Sequence, residues 1–171
     1  MTLETIRYLF RYNAWATELA LDAAAMMTPE EYVAPGCSGQ GSVRDTLAHV
    51  LMVQQRWIAT IAGTLRPEDA TQLPFTSADI AVVADARTRW ATISAETDSY
   101  LAALTEDQVL SEIVLTHPTR GSLKALLWRL LLHVANHGTH HRAQIVAAAR
   151  RAGHTPAGND LLYFSMSPAG A

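Results

Sequence analysis

The chain has 171 residues, 49% apolar and 17% charged, and 13 Lys and Arg against 16 Asp and Glu leave a formal charge of −3. That length suits one packed domain, residues 1–171 with a frayed tail at 168–171, and the mildly acidic balance gives no support to nucleic-acid binding by phosphate neutralisation. The one cysteine, Cys37, has no partner for an internal disulfide, Met1 to Arg11 lack the layout of a secretory signal, and Arg129, His133 and Asn136 interrupt the longest apolar run, so a soluble, cytoplasmic protein is expected, without membrane contact.

From Leu3 to Met27 there is no Gly or Pro, and Leu3, Ile6, Leu9, Phe10 and Asn13 recur at helical spacing, which predicts a long first helix. Thr28-Pro29-Glu30 opens a short helical turn, and Ala34 to Gly41 reads as a loop. Ser42, with Asp45 three residues on, caps a second helix reaching about Ala62, where Gly63 ends it. A polar, Pro-containing connection from Thr64 to Phe75 follows. The third helix is predicted to start at Ser77 with Asp79 and to continue through Ile80, Val83, Ala84, Arg87, Trp90, Ala91 and Ser94 toward Leu104.

Ile113, Val114 and Leu115 favour a short extended segment over Glu112 to Thr116, too short to imply a sheet, before a turn at Pro118 to Gly121. The fourth helix is predicted from near Ser122 to about Ala152, with Gly153 as its stop. A turn at Pro156 to Asp160 then leads into the apolar segment Leu161 to Phe164. Four long helices without repeats predict an all-α four-helix bundle.

Four of the chain's seven histidines stand between Leu131 and Arg142. On a helical wheel of about 100° per residue with Leu123 at zero, the apolar face of the fourth helix centres near zero. His141 falls at about 0° and His137 at about 320°, inside the apolar stripe, while His133 at about 280° and His140 at about 260° lie on its edge. Two imidazoles buried among leucines without partners would cost about 1–3 kcal/mol each, and a metal ion removes that cost by using their lone pairs. His137 and His141 are therefore the preferred ligand pair.

A catalytic site needs a further ligand from another helix, and the best remaining candidate is His49 in the second. Its neighbours Leu47, Val50, Leu51, Gln54, Ile58 and Ile61 centre roughly 140° away from it, so periodicity alone does not put it in the core. Met52, Val53 and Trp57 give that helix a spare apolar face, which could lie against a partner subunit. His117 and His154 fall in loops and are set aside. Trp15, Trp90 and Trp128 read as core or interface, and Trp57, two turns beyond His49, as a residue bordering a pocket.

Three stretches carry a resemblance over nearly the whole chain: Tyr12-Asn13-Ala14-Trp15-Ala16-Thr17, Gly41-Ser42-Val43-Arg44-Asp45-Thr46-Leu47-Ala48-His49, and the specific one, His133-Val134-Ala135-Asn136-His137-Gly138-Thr139-His140-His141-Arg142-Ala143-Gln144-Ile145. Together with Gly153-His154-Thr155-Pro156 and Asp160 to Phe164, they resemble the DinB superfamily of DinB/YfiT-like metalloenzymes. The resemblance implies an up-down-down-up four-helix bundle, a divalent metal held by His49, His137 and His141, and a homodimer. Some relatives have Glu at the position of His137, and where the family usually has Arg-Gly-Gln this chain has Arg142-Ala143-Gln144.

Family members include transferases and isomerases that use a low-molecular-weight thiol such as mycothiol or bacillithiol. The resemblance therefore implies a metal-dependent enzyme that activates a water or thiol, a thiol S-transferase in the sharper form, acting on a small molecule. The metal would be Zn or Ni first, with Fe, Cu or Mn compatible with imidazole donors. A rival from another class is a metal-binding or stress-response protein without catalysis.

Overall fold

Twenty-three residues without a backbone breaker, Leu3–Ala25, form helix α1 in the computed structural model, which describes residues 1–36, 38–65, 69, 72, 74–117 and 121–170. The Thr2 hydroxyl caps it by accepting from the Thr5 N–H. Helix α2 (Pro29–Val33) starts with Pro at its first turn and a capping box between Thr28 and Glu31. Helix α3 (Val43–Ile61) begins with the Ser42–Asp45 box expected from the sequence, the Ser42 hydroxyl accepting from the Asp45 N–H at 3.0 Å. A Ser42→Ala variant is expected to lose about 1 kcal/mol, read as a lower urea midpoint at unchanged slope.

Ser77–Ile80 form a separate 3₁₀ turn, and the next long helix, α4 (Val83–Ala103), starts later than the predicted Ser77. The Asp85 carboxylate marks its beginning by accepting from the Val82 N–H at 3.1 Å. Helix α5 (Glu106–Leu110) leads into strand β1 (Glu112–His117), which pairs antiparallel with β2 (Gly121–Leu126). Helix α6 (Leu127–Arg151) and the short α7 (Leu161–Ser165) complete the chain.

The hairpin corrects the expected start of the fourth helix, which is Leu127 rather than a residue near Ser122. Ser122 to Leu126 lie in register with Thr116 to Glu112, and the Thr116 and Ser122 hydroxyls meet at 3.3 Å. Cross-strand hydrogen bonding and the β-branched Ile113 and Val114 outweigh the helical spacing of the leucines. The turn residues 118–120 lie outside the described part. The all-α expectation otherwise holds, with this hairpin as the addition.

The two larger apolar clusters among the described residues reveal the direction of the bundle. One joins Leu3, Ile6 and Phe10 at the start of α1 with Ile58 at the end of α3, Leu101 near the end of α4, and Leu127, Leu131 and Val134 at the start of α6. The other joins Ala20, Leu21 and Ala24 with Val43, Leu47 and Leu51, with Ala86, Trp90 and Ile93, and with Ile145 and Ala148. Helices α1 and α6 therefore run one way and α3 and α4 the other, with α1 and α3 each packed between α4 and α6. This is the up-down-down-up order.

Between the clusters lies a polar layer with one member from each long helix. Arg142, 1% exposed, donates through Nη1 to Asn13 Oδ1 at 2.5 Å; Asn13 Nδ2 donates to Gln54 Oε1 at 2.9 Å; Gln54 Nε2 donates to Thr97 Oγ1 at 3.1 Å. Thr97 ends the relay by donating to the Ile93 carbonyl. Every donor points the same way, so the guanidinium sets the orientation of both amides. A Cβ on Gly138 would overlap the Arg142 guanidinium and Asn13 Oδ1, so glycine is retained there despite its helix cost of about 1 kcal/mol against alanine. Among the described residues, no helix is long and apolar enough to cross a membrane.

Candidate metal centre

Where α3 crosses α6, just off the polar layer, three histidines converge. His49 comes from α3, and His137 and His141 from successive turns of α6, as their four-residue spacing requires. One potential ligand atom from each lies within 4.8 Å of the other two. His49 Nε2 and His137 Nε2 stand 3.0 Å apart, and the ring centroids of His141 lie 4.7 Å from His49 and 4.5 Å from His137. Two imidazole nitrogens on one tetrahedral zinc, at bond lengths of ~2.0–2.1 Å, are about 3.3 Å apart, so the His49–His137 pair stands at ligand spacing and the three together are within reach of a single ion.

His141 is buried, whereas His49 and His137 are half-buried, so one side of the cluster faces solvent. Burial, with the charge that would sit on neighbouring imidazoles, pushes the His137 pKa down to about 4. Burial likewise lowers His49, with His141 adding to it, and lowers His141 against an opposing hydrogen bond from Gln144. All three are thus held in the neutral form that ligates a metal.

The sequence reading of the four clustered histidines agrees with their places on α6. His133 is exposed with its ring edge-on to Trp57 at 5.2 Å and 6.1 Å from His137, so it is a neighbour of the set rather than a member. His140 is exposed too and meets Gln144 Nε2 at 3.1 Å. His154, set aside from the sequence, pairs with Glu31 at 2.9 Å away from the cluster. Cys37 and the side chain of His117 lie outside the described part.

His49 is the position the wheel could not place, and the partner subunit offered as cover for the spare face of its helix is not needed to bury it. Its helix buries Leu47, Val50, Leu51 and Gln54 toward the core, while His49 sits on the flank that meets α6 of the same chain. Met52 and Trp57 pack against the chain's own clusters.

The profile of the DinB family matches residues 1–169. The chain belongs to the DinB family. It is 27% identical over 161 residues to the protein DinB of Bacillus subtilis (strain 168), covering 93% of each chain. A crystal structure of a DinB-like protein from Bacillus cereus ATCC 10987 shares the fold, with a TM-score of 0.62 at 17% identity over 92% of this chain and 97% of that one.

One residue of this DinB-family chain that the sequence reading passed over is Gln144. His141 Nδ1 donates to its Oε1 at 2.7 Å, which leaves His141 Nε2 unprotonated. The signal was available in the spacing: an amide three residues after a helical histidine lies over its ring.

Proposed function

We propose that this chain binds one divalent metal ion through His49, His137 and His141 and acts as a metal-dependent enzyme on a small electrophile, with a low-molecular-weight thiol as co-substrate. The observation that supports this most is the convergence of three imidazoles from two helices, within 4.8 Å, at a place open to solvent on one side. Three protein donors are the usual number for a catalytic site, whereas structural sites close with four. Bound there, the ion supplies Lewis acidity that lowers the pKa of a water or thiol coordinated beside the imidazoles.

The chain's own groups set the conditions for that chemistry. The set contains no carboxylate or thiolate among the described residues, so its ligands leave the charge of a dication undiminished. Gln144 holds the inner ligand His141 in one tautomer, and His133 with Trp57 borders the exposed side next to His137. In thiol transfer, sulfur forms a bond to the electrophilic carbon, the thiol proton passes to solvent, and the leaving group departs with its bonding pair.

The test is a conjugation screen of untagged protein with several electrophiles and several low-molecular-weight thiols, loaded with Zn or Ni against metal-free. Turnover that requires both metal and thiol is the expected result. Turnover with metal alone selects water as the nucleophile. Stoichiometric metal binding with no metal-dependent turnover would move the site to the non-catalytic role.

A further inference from the structure

Gly39 sits in a tight turn in which Ser38 and Gly41 exchange backbone hydrogen bonds. Its φ lies outside the left-handed region that favours glycine, so backbone conformation does not explain the residue. Space does: a Cβ at Gly39 would overlap the side-chain amide of Gln144. The turn is in turn pinned to α3. The Thr46 hydroxyl donates to Ser38 Oγ at 2.8 Å and lies 3.4 Å from the Gln40 N–H, and Thr46 is three residues before His49.

We infer that Gln144 is a positioning residue for His141 and that the turn at Ser38–Gly41 clamps it, tying the α3 half of the histidine cluster to the α6 half. The amide is held at three points: His141 Nδ1 donates to its Oε1, its Nε2 contacts His140 Nε2, and the Gly39 backbone closes over it. Its oxygen therefore faces His141, and with Nδ1 committed to that oxygen, Nε2 is the ring nitrogen left to act with His49 and His137. A ring free to take the other tautomer would present a proton where the lone pair is needed, and outer partners of this kind are worth about 10–100-fold in metal affinity. This inference rests on the proposed metal role of the cluster, but its first readout does not require metal.

The experiment compares Gln144→Leu, Gln144→Glu and Gly39→Ala with the parent protein, all checked for an unchanged urea midpoint. In metal-free protein, long-range proton–nitrogen NMR reads the tautomer of His141. The parent and Gln144→Glu are expected to carry the proton on Nδ1, and Gln144→Leu and Gly39→Ala to show mixed tautomers. Zinc affinity, measured by chelator competition, should fall about 10–100-fold in Gln144→Leu, less in Gly39→Ala, and be restored by Gln144→Glu. An unchanged His141 tautomer in Gln144→Leu overturns the inference. If the parent protein takes up no zinc, the proposed function fails, and the tautomers still decide whether Gln144 positions the ring.

Discussion

Protein carrying His141→Ala is expected to lose stoichiometric metal, and His137→Ala and His49→Ala to follow it. Each variant leaves two imidazoles where three converge within 4.8 Å. Because outer-shell partners alone are worth about 10–100-fold, removal of a direct ligand should weaken binding by at least about a hundredfold. His154→Ala is the control, since that ring pairs with Glu31 elsewhere and should leave metal content unchanged. The measurement is metal per chain in untagged protein after dialysis, with helical content followed in parallel. Full occupancy in both His137→Ala and His141→Ala would remove these residues from the site.

The second large effect is expected in the polar layer. Asn13→Ala deletes the acceptor of Arg142 and the donor to Gln54 together, leaving a guanidinium 1% exposed beside the hydroxyls of Thr17 and Thr139 and the face of Tyr12. Burial already pulls that guanidinium below the ordinary arginine pKa. A buried charged donor left without its main acceptor costs about 3 kcal/mol, a large share of the ~5–15 kcal/mol by which a domain is stable. Arg142→Met should cost less, because it removes the charge along with the hydrogen bond and fills the space with a similar apolar stem. Urea unfolding of both variants tests the order. An Asn13→Ala midpoint at or above that of Arg142→Met would mean that the layer does not depend on compensating the guanidinium.

Much of the bundle was legible along the chain. The capping boxes at Thr28 and Ser42, the unbroken run of α1 and the glycine stop at Gly153 are local signals, set by which backbone groups a nearby side chain can satisfy. The hairpin was half legible: Ile113 to Leu115 pointed to an extended Glu112 to Thr116, but the return strand was hidden because Leu123, Leu126, Leu127 and Leu130 also follow a helical period. Only the pairing of Ser122 to Leu126 with Glu112 to Thr116 decides between strand and helix. The polar layer left a faint trace: Asn13 and Gln54 occupy apolar registers of their helices. Their hydrogen-bond partners lie 41 and 129 residues away for Asn13 and 43 for Gln54, and no local pattern names them.

The candidate site divides along the same line. The four-residue spacing of His137 and His141 and their place on the apolar stripe of one helix belong to the sequence, since a helix turns through the same angle whatever surrounds it. His49 belongs to the tertiary structure. The spacing of apolar residues along a helix gives only the average direction in which that helix is buried, whereas a site at the seam between two helices draws on a residue from the flank. The packing of α3 against α6 made that flank an inward face, and the same packing set the turn at Gly39 over the amide that orients His141.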